Sequence, residues 1–184
     1  ALEISRQIGN KRSEGQNLGN MGLVYKNIEQ YDNALSHFKK ALEINRQLKN
    51  KRSEGIQLGN LGDLLFKLER WEEAEQNLIE AIEVCRTAIP AAAGAFSGSL
   101  SLVYIKQQKI EEALQVLEEG EPLVAVFPLE HGKFLCKKAK VLHIVKQVEK
   151  ATEALVQAKT IAKDIKAKPD SELQKAIREA EQFL

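Results

Sequence analysis

The chain is poor in residues that mark several classes of protein. It has 2 cysteines and 4 prolines among 184 residues, and aromatic residues make up 5%. Two cysteines, Cys85 and Cys136, are too few for a disulfide scaffold, so we expect a reduced chain in the cytoplasm. The sequence contains neither a signal peptide nor an apolar run of roughly 18 residues, so no membrane partner is expected. Scarce proline and few β-branched runs favour helices.

The charge of the chain does not indicate a nucleic-acid partner. The formal net charge is +1, whereas proteins that bind nucleic acid through their charge are strongly basic. The charges are unevenly spread, however. Residues 1–68 carry 11 basic and 7 acidic side chains, residues 69–121 carry 4 and 11, and residues 129–184 carry 12 and 8. This pattern matters for function only if the fold sorts the charges by face.

One phrase occurs twice, as NKRSEGQNLGNMG at 10–22 and as NKRSEGIQLGNLG at 50–62. Aligning residues 1–40 with residues 41–80 gives 18 identities without a gap. A fixed period of this length predicts a stacked array in which each unit is one supersecondary element.

Each unit has the spacing of two helices. Apolar residues recur every three or four positions before and after the polar break at Glu29 and Gln30, which is typical of a helical hairpin. Asn10 and Asn50 are candidate N-caps, because an amide oxygen there can accept an orphan backbone N–H.

Each unit carries the same series of apolar and small residues. In the first unit these are Leu18, Met21, Gly22, Tyr25, Tyr31, Ala34, Phe38 and Ala41; in the second they are Leu58, Leu61, Gly62, Leu65, Trp71, Ala74, Leu78 and Ala81. One small position recurs along the whole chain, as Ala34, Ala74, Ala113 and Ala151. This series resembles the motif of the tetratricopeptide (TPR) repeat, in the extended, longer-period class found in kinesin light chains, Pins-type proteins and bacterial signalling proteins. Four units match, with decreasing strength along the chain, and the four alanines are their anchoring residues.

The resemblance implies an all-α fold, a right-handed superhelix of stacked antiparallel helix pairs (a TPR solenoid) with a C-terminal capping helix. The expected organisation is a single TPR domain, 1–184. Its parts are 1–9 (second helix of a truncated preceding repeat), 10–49, 50–89, 90–128 and 129–168 (repeats 1 to 4) and 169–184 (capping helix). Pro122 predicts a kink near Gly120–Pro122, and Pro128 a turn before the next helix.

Alternative chemistries have little support in the sequence. Gly15, Gly19 and Gly22 fall on one helical face, which favours close helix packing, and a phosphate loop would need a preceding strand and a GK[ST] ending. Cys136, His143 and His131 do not make up the three or four ligands that zinc requires. No nucleophile has partners that the sequence can place beside it. We therefore expect no enzyme activity, no metal and no cofactor.

By resemblance, the first helix of each repeat lines a concave groove. Its candidate peptide-binding residues are Asn20, Leu23, Lys26, Asn27, Asn60, Asp63, Phe66, Lys67, Ile105, Lys106, Lys133, Lys137 and Lys140. Asn20 and Asn60 precede the Leu-Gly-like pair and would hold a peptide backbone, because an amide offers both a donor and an acceptor. The lysines favour an acidic partner. Lys133 and Lys137 resemble the basic residues of a chaperone clamp, although Ser99 and Ile56 depart from that pattern.

The expected function is therefore a protein–protein interaction scaffold that binds an extended or helical, acidic segment of a protein or peptide. Two alternatives stay open. The chain would act as a regulatory or sensor segment of a larger signalling protein, within that protein or on a small effector. Or it would self-associate, as a homodimer through an incompletely covered N-terminal face.

Overall fold

The structure, a computed structural model, describes residues 2–184 except for the side chain of Arg6. These residues form ten α-helices, and no strand occurs among them. The helices are α1 (Leu2–Gln7), α2 (Lys11–Asn27), α3 (Tyr31–Gln47), α4 (Lys51–Lys67), α5 (Trp71–Ala88), α6 (Pro90–Lys106), α7 (Ile110–Val124), α8 (Pro128–Ile144), α9 (Val148–Asp164) and α10 (Glu172–Phe183). The expected all-α fold is confirmed.

The chain divides into two compact units between α5 and α6. Unit 1 comprises α1 to α5 and ends at Ile89, and unit 2 runs from Pro90 to Leu184. Unit 1 contains the pairs α2–α3 and α4–α5, and unit 2 contains α6–α7 and α8–α9 with α10 packed on the last pair. Each pair is a helical hairpin, because neighbouring helices joined by short turns pack antiparallel.

The anchoring alanines lie at the centre of each helix pair. Ala34, Ala74, Ala113 and Ala151 are all 0% exposed. One turn later, large apolar side chains are buried with them, namely Phe38, Leu78, Leu117 and Leu155. A small residue beside a large one lets the paired helices interdigitate at the density of a protein interior.

The glycines of the first helices are close-packing positions, as the sequence predicts. A Cβ atom added at Gly22 would lie 2.5 Å from the ring of Phe38, and one at Gly62 would lie 2.5 Å from Leu78. In unit 2 the close neighbour is backbone, because a Cβ at Gly94 would lie 2.6 Å from the carbonyl oxygen of Gly120. There, α6 and α7 bring their backbones together.

The predicted N-caps are confirmed. The Asn10 side-chain oxygen accepts a hydrogen bond from the Ser13 backbone N–H at 3.0 Å, and Asn50 accepts one from Ser53 at 3.2 Å. Ser171 caps α10 in the same way. Each cap satisfies one of the backbone donors that the first helical turn leaves free.

Short turns with a left-handed residue join most of the helices. Gly9 has φ 67° and Lys49, at the same position of the next repeat, has φ 53°. Five more non-glycine residues have positive φ: Glu29, Glu69, Gln108, Lys146 and Lys166. A left-handed residue after a helix lets the following backbone N–H groups bond back to its last carbonyls.

The proline-containing segment of unit 2 forms the end of one helix and the start of the next. Helix α7 continues through Pro122 as far as Val124, and Pro128 is the first residue of α8. Proline suits that first position because it has no N–H to leave unsatisfied.

Candidate functional site

In unit 1, the predicted groove residues of α2 form an accessible row. Asn20, Leu23 and Asn27 are exposed and Lys26 is half-buried. They are spaced three or four positions apart, so they share one helical face. The Asn20 and Asn27 amides make no hydrogen bond with the residues that the structure describes, so both are available to a ligand.

The matching row of α4 is more deeply set. Asn60, Asp63 and Phe66 are half-buried, and Lys67 is exposed. The ring of Phe66 packs against Trp71 with centroids 5.2 Å apart. Within the described chain, the Asn60 amide also has no hydrogen-bond partner. Asn20 and Asn60 therefore present two uncommitted amides, one from each repeat of unit 1.

In unit 2, the two predicted groove residues of α6 differ in their exposure to solvent. Ile105 is half-buried and packs against the core cluster that contains Val124 and Phe134. Lys106 is exposed. Packing in the core leaves Ile105 less apolar surface for a ligand than the sequence suggests.

The lysines of α8 are engaged inside unit 2. Lys137 Nζ donates to Ser99 Oγ at 2.7 Å and to the carbonyl oxygen of Ala95 at 3.3 Å. Lys133 Nζ lies 3.1 Å from carboxylate oxygens of both Glu130 and Glu172. These contacts tie α8 to α6 on one side and to α10 on the other.

The capping helix α10 also forms an ion pair with a second lysine of α8. Lys140 Nζ lies 3.3 Å from Glu179 Oε2. Each of the two glutamates of α10 follows its lysine by 39 positions in the sequence. That separation is close to the period of the repeat, so α10 stands where the first helix of a next repeat would stand. The signal that would have revealed these pairs is that spacing.

The surroundings of Lys133 favour its charged form. Burial by itself lowers the pKa of this lysine, but the carboxylates of Glu130 and Glu172 outweigh burial and the pKa is raised. An acidic ligand at this lysine would have to compete with two carboxylates that are already in place.

One surface of unit 1 includes the predicted groove residue Asn20. A cavity of about 540 Å³ lies between α1 and α2, and its lining includes Leu2, Met21 and Val24. Val24 is 59% exposed, whereas Leu64, the residue at the same position of the next repeat, is 0% exposed. An incompletely covered face of this kind is what the sequence predicts beside the first repeat.

A further cavity, of about 670 Å³, lies between α7, α8 and α9 in unit 2. Part of its polar lining is paired internally: Lys138 Nζ lies 2.5 Å from Glu121 Oε2, and His131 Nε2 lies 3.4 Å from Glu121 Oε1. The lining also includes Glu118, Lys150 and Glu153, so the cavity carries charges of both signs.

Comparison with known proteins identifies the repeat. The tetratricopeptide repeat family model matches residues 13–87. Residues 13–87 are tetratricopeptide repeats. The resemblance seen in the sequence is thus confirmed, and the solved structures show that TPR-like folding extends over most of the chain.

Two solved proteins illustrate this similarity. BtubC (BKLC) from P. vanneervenii is 16% identical, with a TM-score of 0.69 over 86% of this chain and 67% of its own. A putative kinesin light chain of Podosopora anserina, with nearly identical TPR-like repeats, is 15% identical. Two of its crystal structures give TM-scores of 0.68 and 0.65, over 91% of this chain and 84% of theirs. No curated protein sequence matches the chain.

TPR repeats generally mediate protein–protein interaction, and proteins built from them are typically scaffolds without catalytic activity. In the described part of the chain, none of the helices is both long enough and apolar enough to cross a membrane.

Proposed function

We propose that unit 1 binds an extended or helical, acidic segment of a partner protein along the rows of predicted groove residues on α2 and α4. The observation that supports this most directly is the pair of uncommitted amides, Asn20 and Asn60, at the same position of two successive repeats. An amide can accept from a peptide N–H and donate to a peptide carbonyl at once.

The side chains around these amides fit an acidic ligand. Lys26 and Lys67 lie on the same rows, and Asp63 is their only acidic companion among the predicted groove residues. Leu23 and Phe66 add apolar contact area. A positively charged surface accelerates association with an acidic segment and selects against basic ones.

The lysines of α8 in unit 2 can bind an acidic partner only if they first release their present contacts. Lys133 and Lys140 would hold an acidic partner only if it displaced Glu172 and Glu179, and Lys137 only if it released Ser99. We therefore assign the stronger part of the binding to unit 1.

The experiment is a selection of displayed random peptides on the purified chain, followed by affinity measurement for the enriched peptides. Binding should fall about 5- to 150-fold in the double variant Asn20→Ala/Asn60→Ala, since it removes two neutral hydrogen bonds that contribute roughly 0.5–1.5 kcal/mol each. The matched control is Asn33→Ala/Asn77→Ala, which removes two amides from the second helices α3 and α5. Equal losses in both double variants, or enrichment of basic peptides, would contradict the proposal.

A second function, self-association, has its own observation. The face around Val24 is open, whereas its equivalent at Leu64 is covered. At the other end of the sequence, α10 covers the last repeat with Leu173, Ile177 and Ala180. If only the face of unit 1 is open, two copies would meet there with two-fold symmetry, because a head-to-tail contact needs a second open face.

Sedimentation across a concentration series tests the dimer. We expect Val24→Lys to abolish it and Val156→Lys to leave it unchanged, since Val156 on α9 is 55% exposed and differs mainly in its location. A monomer at all concentrations, or equal effects of the two variants, would rule out this interface. A chain lacking residues 1–8 should also fail to dimerise.

A cytoplasmic location fits the cysteines. Cys85 and Cys136 are both unpaired and buried. Unpaired thiols persist most readily in a reducing compartment. Labelling of free thiols in intact cells would test this placement.

A further inference from the structure

Two arginines of the repeated phrase line one small pocket in unit 1. The pocket has a volume of about 180 Å³ and is lined by Arg12, Gln16, Asn50, Arg52 and Ser53. Arg12 and Arg52 hold the same position in successive repeats. Stacking of α2 and α4 therefore brings two arginines, distant in sequence, to the lining of one pocket.

Unlike the lysines beside them in the sequence, these two arginines form no ion pair with a described carboxylate. Lys11 Nζ lies 2.9 Å from Glu14 Oε2, and Lys51 Nζ lies 2.9 Å from Glu54 Oε2. Neither Arg12 nor Arg52 has an ion-pair or hydrogen-bond partner among the side chains that the structure describes. Two like charges that share a pocket repel each other, and an anion between them would turn that repulsion into attraction.

The other lining groups add donors. Asn50 Nδ2 donates to Ser53 Oγ at 3.0 Å, which leaves the hydroxyl proton of Ser53 free to donate elsewhere. The Gln16 amide, which has no described partner, offers two more N–H groups. With two guanidinium forks as well, the pocket has more donors than the two oxygens of a carboxylate can accept, whereas a phosphate has three free oxygens.

The third repeat shows that the fold does not require this site. In α6 the positions equivalent to Arg52 and Ser53 are Ala91 and Ala92, because Gly55 aligns with Gly94, and Pro90 is the first residue of the helix. Helix α6 forms without the basic phrase. The arginines are therefore dispensable for folding a repeat, so a ligand is a better reason for their presence in unit 1.

We propose that the Arg12–Arg52 pocket binds a phosphate monoester group, carried by a phosphorylated side chain of the partner segment. Gln16 lies one turn before Asn20 on α2, so the pocket adjoins the row proposed to hold a peptide. That the partner segment carries the phosphate rests on the proposed function of unit 1. That the pocket binds phosphate does not.

The first test titrates the isotope-labelled chain with inorganic phosphate and follows the backbone amide signals of Arg52 and Ser53 by NMR. We expect saturable shifts at millimolar phosphate, at least tenfold weaker binding in Arg52→Gln and in Arg12→Gln, and unchanged binding in Lys175→Gln. Lys175 is exposed on α10 and its substitution removes the same charge. Binding should strengthen as the pH rises through the second pKa of inorganic phosphate, because the ion gains its second negative charge there.

Several results would overturn the site. These are shifts that chloride reproduces at equal ionic strength, acetate binding as tightly as phosphate, or equal losses in the arginine and Lys175 variants. Unchanged thermal unfolding of each variant confirms that loss of binding is not loss of fold.

The second test compares a selected peptide with its serine-phosphorylated form. We expect phosphorylation to tighten binding at least tenfold in the wild type and less than twofold in Arg12→Gln/Arg52→Gln. If phosphate binds but Asn20→Ala/Asn60→Ala has no effect on peptide binding, the pocket stands and the groove fails. If peptides bind through the amides but neither phosphate nor phosphopeptide engages the arginines, the pocket fails and the groove stands.

Discussion

Residues 1–68 and residues 129–184 each carry four more basic than acidic side chains, but the two regions use that charge differently. In unit 1, Arg12 and Arg52 line a pocket without a described partner. In unit 2, Lys133 and Lys140 are paired with Glu172 and Glu179 of the capping helix. An excess of lysine in a segment therefore does not by itself indicate a surface that attracts an acidic ligand.

Two glycines, one from each unit, differ in the neighbour that an added Cβ atom would meet. In unit 1, a Cβ added at Gly15 would lie 3.0 Å from Ile44 Cγ2, a side-chain methyl that can move. In unit 2, a Cβ added at Gly94 would meet a backbone carbonyl that cannot move without its helix. Gly94 should therefore tolerate added volume less well than Gly15.

The largest effect should come from Gly94→Ala. We expect a loss of about 2–3 kcal/mol in the free energy of unfolding, because overpacking forces α6 and α7 apart. Gly15→Ala should change it by less than about 1 kcal/mol, since the higher helix propensity of alanine offsets the closer contact. Urea denaturation of both variants measures the difference, and equal losses would contradict the distinction between the two positions.

Charge reversal should separate the two basic regions. Lys133→Glu removes two ion pairs and sets three carboxylates together, so we expect a loss of about 1–2 kcal/mol in stability. Lys67→Glu, at an exposed position of unit 1, should stay within about 0.5 kcal/mol. The charge swap Lys133→Glu/Glu172→Lys should recover part of the loss; a loss as large as in the single variant would show that the α8–α10 pair is not the cause.

The buried thiols give one probe for each unit. Burial raises the pKa of Cys85 and of Cys136 to about 11, whereas an unfolded cysteine titrates near a pKa of about 8.5. The unfolded state therefore loses thiol protons first, and stability should fall as pH rises from about 8.5 to 11. Thermal melts across this range, compared between the wild type and Cys85→Ala/Cys136→Ala, should show a smaller decline in the variant.

Alkylation of the same thiols shows which unit the Gly94→Ala substitution destabilises. In Gly94→Ala, Cys136 of unit 2 should become reactive at lower urea than Cys85 of unit 1. Simultaneous reaction of both thiols would show that the two units unfold together.

The smallest change in stability should come from replacing a left-handed turn residue with glycine. Lys49→Gly should stabilise the chain by up to about 1 kcal/mol, because a left-handed non-glycine residue is strained by its Cβ atom. Gln108→Gly makes the same change in unit 2, at φ 62°. Similar gains in both units are expected from calorimetry, and a destabilised Lys49→Gly variant would contradict the strain argument.

The sequence predicted much of the fold and less of the candidate site. The caps at Asn10 and Asn50 were predictable because they depend on a local hydrogen bond to the third residue along the chain. The pairing of Lys133 with Glu172 was not, because the two are far apart in sequence and only the packing of α10 brings them together. The partner of each groove residue is decided by such distant contacts, so these predictions remain to be tested by binding.

The amino-acid sequence by itself determined the repeat, its helix pairs and its buried alanines, since the fixed repeat period and the helical spacing of apolar side chains can both be read along the chain. The tertiary structure decided which of the repeated polar residues are free. Lys11 and Arg12 are adjacent in one phrase, yet Lys11 is paired with Glu14 and Arg12 lines a shared pocket. Stacking one repeat on the next sets that difference, because it selects which side chains of successive repeats meet.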